Sequence, residues 1–447
     1  MPIDPHVKRF LDTLAAMNPA GALTLTVEER RVALQRLLGF SGRGEAVGAV
    51  EDRTLPGPDG AVGLRVYTPA AARAGEVLPG LIYFHGGGFV AGSLDTHDPV
   101  CRSLTNASGC RVLSVDYRLA PEHPFPAAVA DGNAATAWVA AHARELAIDP
   151  NRLGLCGDSA GATLAAVVCQ MTTAARQVRV ACQFLLCPIM DCAAESESRV
   201  SFVQGFLVDR AMLEHDLKHY LPADADRTDP RISPLRAPDL ADLPPTCVHT
   251  AEFDPLRDEG RAYVERLQGA GINTIFRCHP GMIHLFYGMR TLIPYADTAF
   301  KLMGADIRSL LMSERRRGKR MTDRLQVERL VRELHAARVD GDLEGLCRVF
   351  SRDACLRIGG SGDGKRIALD ASGMSVIRPW LSVFVKTFKL SRYQLLSLTI
   401  EGMRAAVHWR VDIHSKITGA IVPTELIDLI EVSGGRVASL TEFFVPC

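Results

Sequence analysis

The five residues Gly157, Asp158, Ser159, Ala160 and Gly161 constrain this chain more than any other stretch. An apolar run, 152–156, leads into them, and an alanine-rich helical run, 163–170, leaves them. Strand, sharp turn and helix is the setting that the pattern Gly-x-Ser-x-Gly requires. The turn is so tight that the residues two before and two after the serine must be tiny. It lifts the serine hydroxyl clear of a sheet, beside the free N–H groups of a helix N-terminus. Small residues also cluster by chance in structural turns, but the flanks here favour a nucleophile at Ser159.

A second pattern lies upstream. Residues 81–84 read as a buried strand that runs into His85, Gly86, Gly87, Gly88 and Phe89. Three glycines leave backbone N–H groups uncovered, so that an oxyanion can approach them. A flexible turn would use the same residues. The serine turn about 70 residues later, in a chain that alternates strands and helices, favours the oxyanion reading. The expected donors are the N–H groups of Gly86, Gly87 and Ala160. His85, at the strand end, is expected to brace the loop.

A base and an acid must follow in the order Ser, Asp or Glu, His. The apolar strand 246–251 runs into Glu252, Phe253 and Asp254. Asp254 falls just past the strand's C-terminal end, where open α/β sheets gather functional groups. Asp258 and Glu259 fall on the next helix and read as a solvated face. A further strand, 272–278, precedes His279 and His284. His279 is tied to Pro280 at the strand end, whereas His284 lies deeper in a loop able to swing over Ser159. His249 is mid-strand and reads as a core residue. His97, His123, His215 and His219 show no partner pattern. The expected chemistry is attack of Ser159 on an ester carbonyl, with His284 as base and Asp254 holding its tautomer, through an acyl-enzyme.

Residues 1 to about 312 resemble the hormone-sensitive-lipase-like branch of the α/β-hydrolases. The resemblance rests on the glycine loop 85–89, the run 116–128, the serine turn 157–161, the run 254–259 and the loop around His284. It implies a carboxylesterase of small to medium acyl esters, with Ser159, Asp254 and His284 as its triad. It also implies a helical cap built from about 1–50 and 193–222. The alternation of strands and helices itself reads as a mostly parallel sheet with helices on both faces, and no metal or cofactor is expected. Phe89, Phe202, Phe206 and Leu207 are candidates to line the acyl pocket; simple packing of cap on body is the competing role. Ala162 and Leu285 stand where the family commonly has glycine.

Bulk properties agree with this reading. A chain of 447 residues exceeds one ordinary domain. Lys plus Arg equals Asp plus Glu at 51 each, so the net charge gives no reason to expect a nucleic-acid partner. The N-terminal residues lack the apolar core of a signal peptide, and no uncharged run has the roughly 18–20 residues of a membrane span. Twelve cysteines lie scattered without close metal-type pairs and read as reduced thiols of a cytoplasmic protein.

The chain changes character near residue 313. The basic stretch 313–320 reads as part of a linker, 313–322, rather than a nucleic-acid patch, since no aromatics interleave it. An amphipathic helix, 324–338, a short helix, 343–350, and β-rich runs at 354–358, 393–401, 404–414, 421–432 and 435–444 then argue for an α+β domain. This tail, about 323–447, resembles the nuclear-transport-factor-2-like cone fold, including its polyketide-cyclase-like members. The resemblance rests on the opening helix, 340–344, 350–354 and the closing strand 442–445. It implies a concave sheet that holds an apolar ligand, or dimerisation through the sheet's outer surface; a homodimer is expected. Trp380, Phe384, His408 and Trp409 are pocket candidates, although His408 and Trp409 point to opposite faces of one strand. His408 with Asp412 or His414 is a conceivable catalytic pair. Two other readings stay open for the whole chain: a small-ligand sensor on a hydrolase scaffold, and a bifunctional enzyme with a cyclase- or isomerase-type tail.

Overall fold

The structure, a computed structural model, describes residues 2–17, 25–359 and 369–445; the side chains of 312–323 lie outside that description. The chain divides into two compact units, Met1–Glu314 and Arg315–Cys447.

The first unit begins with helices α1 (Pro5–Met17) and α2 (Val27–Leu38), followed by a hairpin of β1 (Ala49–Gly57) and β2 (Gly60–Thr68). Strands and helices then alternate: β3 (Leu78–Phe84), α3 (Asp98–Ser108), β4 (Arg111–Asp116), α4 (Ala127–Ala141), β5 (Ile148–Asp158), α5 (Ala160–Ala175) and β6 (Cys182–Leu186). Two helices, α6 (Glu197–Ser201) and α7 (Arg210–Tyr220), interrupt the alternation before β7 (Thr246–Phe253), α8 (Arg257–Gly269), β8 (Thr274–Ile283) and the first part of the long α9 (Tyr295–Asp340), whose residues from Arg315 on belong to the second unit. The stretch expected to be a linker is helical backbone within α9, and its side chains are not described.

Eight strands form one sheet in the order β1-β2-β4-β3-β5-β6-β7-β8, parallel from β4 through β8. Leu81, Ile82, Tyr83 and Phe84 of β3 are all buried, as a central strand covered on both faces requires. The chain leaves β3 toward β4 and leaves β5 toward β6, although β3 and β5 are neighbours. Their C-terminal ends therefore flank a topological switch point, where open α/β sheets form a crevice. β1 escaped the sequence reading because its exposed Glu51, Asp52 and Arg53 carry no apolar alternation. Such charges suit an edge strand, which they shield from further pairing.

The second unit adds α10 (Leu343–Val349), β9 (Phe350–Gly359), β10 (Leu369–Ser372), α11 (Met374–Thr387), β11 (Phe388–Glu401), β12 (Arg404–Ser415), β13 (Ile421–Ser433) and β14 (Arg436–Val445). Its sheet runs β10-β9-β14-β13-β12-β11, with only β9 and β14 paired in parallel. Val407, Trp409 and Val411 of β12 are fully buried and Arg410 is exposed, which is the period-2 alternation expected there. α11 was not anticipated; Pro379 lies inside it. Trp380 on α11 is 44% exposed, so it does not line an enclosed pocket.

No disulfide occurs among the described residues, and eight of the free cysteines are buried. No described helix is long and apolar enough to cross a membrane.

Candidate active site

Ser159 sits between the end of β5 and the start of α5 with φ of 52°. Left-handed backbone at a residue bearing a Cβ is strained, and the surrounding turn holds it there. The flanking glycines are required by contact. A Cβ on Gly157 would lie 2.4 Å from the Gly161 carbonyl oxygen, and one on Gly161 would lie 2.0 Å from that of Phe84. Three more non-glycine residues with positive φ adjoin the same region in sequence: Phe89 after the glycine loop, Cys187 after β6 and Leu285 after His284. Leu285 thus adopts, at φ 62°, the conformation that glycine would take without strain.

The structure brings Ser159, His284 and Asp254 together from the ends of β5, β8 and β7. His284 Nε2 lies 3.0 Å from Ser159 Oγ, and its Nδ1 lies 2.8 Å from Asp254 Oδ2. The other Asp254 oxygen accepts the Leu256 N–H at 2.9 Å. Asp254 is fully buried, His284 is 3% exposed, and Ser159 is half-buried. Burial disfavours a charged imidazole, but the Asp254 carboxylate beside it, with a contribution from Asp158, outweighs that and holds His284 above its ordinary 6.5.

His279 is engaged elsewhere, with His249 at 3.1 Å and the Tyr295 hydroxyl at 3.1 Å, and burial beside His249 takes it down to about 3. His249 is the core residue expected, bonded to Asp306 at 3.0 Å. His85 is also buried and stacks on Tyr117 at 4.4 Å, which fits a brace for the glycine loop.

One expected oxyanion donor requires correction. The Gly86 N–H donates to Asp158 Oδ1 at 2.9 Å, so it is not free to meet a substrate oxygen. The N–H groups of Gly87, Gly88 and Ala160 donate to no acceptor within the described residues. Gly88 must be glycine: it has φ of 66°, and a Cβ there would lie 2.0 Å from Asp216 Oδ2. Asp216 comes from α7 and pairs with Arg30 of α2 at 3.1 Å. Leu34 of α2 reaches the position that a Cβ on Gly87 would occupy, at 3.1 Å. The two helices therefore close over the glycine loop.

The candidate lining residues divide. The Phe89 ring is 4% exposed and stacks on Tyr220 of α7 at 3.9 Å, so its surface is taken up in packing. Phe202 and Phe206 are half-buried and meet each other at 5.0 Å and Phe253, the neighbour of Asp254, at 5.7 and 5.8 Å. Leu207 is half-buried, with φ of 76°.

Glu259, expected on a solvated face, is instead 4% exposed. It accepts the N–H groups of Met190 and Asp191 at 2.6 and 2.8 Å and pairs with Arg199 at 2.9 Å, which ties α6 to the body.

In the second unit, His408 bonds Glu425 at 3.0 Å and His414 bonds Ser391 at 2.7 Å, so neither pairs with Asp412. Two donor sets have the composition of a metal site, Cys187 with Asp254 and His284, and Cys247 with His249 and Asp306, each within 4.8 Å. In both, the imidazole and carboxylate already bond each other.

Residues 81–288 match the alpha/beta hydrolase fold family, and residues 331–440 match the SnoaL-like domain. The chain is 37% identical over 306 residues to the carboxylesterase NlhH of Mycobacterium tuberculosis, covering 66% of this chain and 92% of NlhH. It is 41% identical over 246 residues to the carboxylic ester hydrolase LipN of the same organism, covering 54% of this chain and 65% of LipN. Among solved structures, a hyperthermophilic esterase of the archaeon Pyrobaculum calidifontis matches with a TM-score of 0.65 and 37% identity, covering 70% of this chain and 100% of that one. The chain belongs to the α/β-hydrolase-fold family, among its carboxylic ester hydrolases, and carries a SnoaL-like domain in its C-terminal part.

Proposed function

We propose that this chain is a serine carboxylesterase acting on small to medium acyl esters. The observation that carries the reading is the unbroken chain of contacts from Ser159 Oγ to His284 at 3.0 Å and from His284 to Asp254 at 2.8 Å. His284 takes the hydroxyl proton as Ser159 attacks the ester carbonyl. Asp254 fixes the tautomer and stabilises the imidazolium that forms. The N–H groups of Gly87, Gly88 and Ala160 hold the developing oxyanion. The imidazolium returns its proton to the departing alcohol, and water activated by the same ring then hydrolyses the acyl-enzyme. α1, α2, α6 and α7 act as a cap, with Phe202 and Phe206 facing the acyl group.

Purified protein assayed on short and medium p-nitrophenyl esters beside Ser159→Ala tests this. Hydrolysis by the wild type alone is expected, and more than a few per cent of activity in the variant would remove the assignment. Turnover also separates this reading from a ligand sensor, which needs neither Asp254 nor His284.

The second unit acts in this reading as a dimerisation module. Its support is a half-exposed apolar patch on the outer face of the sheet, where Phe443 lies opposite Ile427 and Leu429 is two residues on. A dimer mass is expected by light scattering at micromolar concentration; a monomer would overturn it.

A further inference from the structure

Asp158 precedes the serine and takes no part in the Ser–His–Asp contacts, yet its carboxylate is fully buried. Burying a charge costs several kcal/mol unless it is well paired. Four chain segments supply the partners. Oδ1 accepts the Tyr83 hydroxyl at 2.5 Å, from the end of β3, and the Gly86 N–H at 2.9 Å, from the glycine loop. Oδ2 accepts the Tyr287 hydroxyl at 2.8 Å, three residues beyond His284, and faces His97 Nε2 at 3.6 Å, ahead of α3. His97 is fully buried, and that nitrogen has no hydrogen-bond partner among the described residues. A Cβ on Gly86 would lie 2.4 Å from Asp158 Oδ2, so the glycine loop is built to touch this side chain.

We propose that Asp158 is a positioning residue of the esterase reaction: its carboxylate ties the glycine loop and the His284 loop to the serine turn and adds a second negative charge to the field on the imidazole. The proposal rests on Ser159 being the nucleophile. Two segments that must agree in position with the nucleophile for catalysis, the glycine loop and the His284 loop, converge on one side chain that belongs to the nucleophile's own turn. Errors of an ångström in such geometry are costly. The ties have distinct consequences. Gly86 N–H, once bonded, leaves the next two N–H groups of the loop without an internal acceptor. Tyr287 fixes the segment that carries His284. The charge acts through space, since Asp158 as well as Asp254 raises the basicity of His284 while Arg30 opposes it. Asp158 itself stays ionised: burial would push it up, but the His97 ring and the two tyrosine hydroxyls bring it down to about 2.

Two variants separate shape from charge. Asp158→Asn keeps the size and one acceptor oxygen but removes the charge and turns the other acceptor into an N–H donor. Tyr287→Phe keeps the charge and removes one tie. Each is measured beside the wild type and Ser159→Ala for kcat, KM, the pH profile of kcat/KM and thermal midpoint. For Asp158→Asn, kcat should fall by at least ~30-fold with KM within about threefold, and the acid limb should move to lower pH. For Tyr287→Phe, kcat should fall by about tenfold with the acid limb unmoved. Wild-type kcat with an unmoved acid limb in Asp158→Asn overturns the proposal. If that variant fails to fold, wild-type kcat in Tyr287→Phe overturns it. An inactive, folded wild type removes the esterase reading and this proposal together, which distinguishes that failure from one confined to Asp158.

Discussion

Replacing Glu442 with glutamine should change how the second unit responds to pH. Glu442 on β14 stands directly opposite Asp428 on β13. Arg338 of α9 bonds both carboxyl groups, and His335, one turn earlier, bonds Asp428 at 3.0 Å. Glu442 is 6% exposed. Burial, and then the facing Asp428, raise its pKa from 4.5 to about 7 against the pull of Arg338. That rise, roughly 2.5 in pKa, corresponds to about 3 kcal/mol at ~1.4 kcal/mol per unit of pH. The folded state holds the proton more tightly, so the contribution is complete below pH 4.5 and is lost as pH climbs to about 7. Glutamine donates to Asp428 but cannot ionise. Between about pH 5 and pH 8, the variant should therefore gain about 3 kcal/mol relative to the wild type. His335 titrates with the opposite sign, since burial lowers it from 6.5, but it does so in both proteins and cancels in the comparison. Asp428, held below 3.8 with Arg338 and His335 as partners, titrates outside the window. Hydrogen exchange of peptides from β13 and β14 in the full chain reads the opening free energy. An identical pH dependence in the two proteins would refute the reasoning.

Two further outcomes concern the first unit. Because His284 is raised above 6.5, and must be neutral to accept the serine proton, kcat/KM should fall away on acidification with a midpoint above pH 6.5; a lower midpoint would contradict the ion pair with Asp254. Gly88→Ala puts a Cβ 2.0 Å from Asp216 Oδ2 at a φ of 66°, so the loop must shift, and kcat should drop on the order of 100- to 1000-fold; an active variant would show that its N–H is not a donor to the oxyanion.

Much of the first unit is legible in the sequence because its motifs are local. The serine turn needs a small residue two positions to either side, and Asp254 and His284 each follow an apolar strand. What escaped depends on contacts across long separations. Nothing near Gly86 in sequence says that its N–H goes to a carboxylate 72 residues away. Glu259 reads as an exposed helix charge until Arg199 and two N–H groups from another segment enclose it. His97, ahead of α3, shows no motif, since the carboxylate it faces, Asp158, lies far along the chain at the end of β5. In the second unit, the strands announce themselves by alternation. The buried group around Asp428 does not, because His335 and Arg338 sit on a helix that reads as an ordinary amphipathic one. His408, the more conspicuous histidine, lies on the outer face beside Glu425 and Arg410.

The central claim is that Ser159 is a nucleophile activated by His284. Reaction of the full chain with an active-site-directed phosphonate, read by intact mass and peptide mapping, tests it most directly. The account predicts one adduct per chain on Ser159, abolished in Ser159→Ala and strongly slowed in His284→Ala. A folded wild type that takes up no phosphonate, or carries it on another residue, would contradict it.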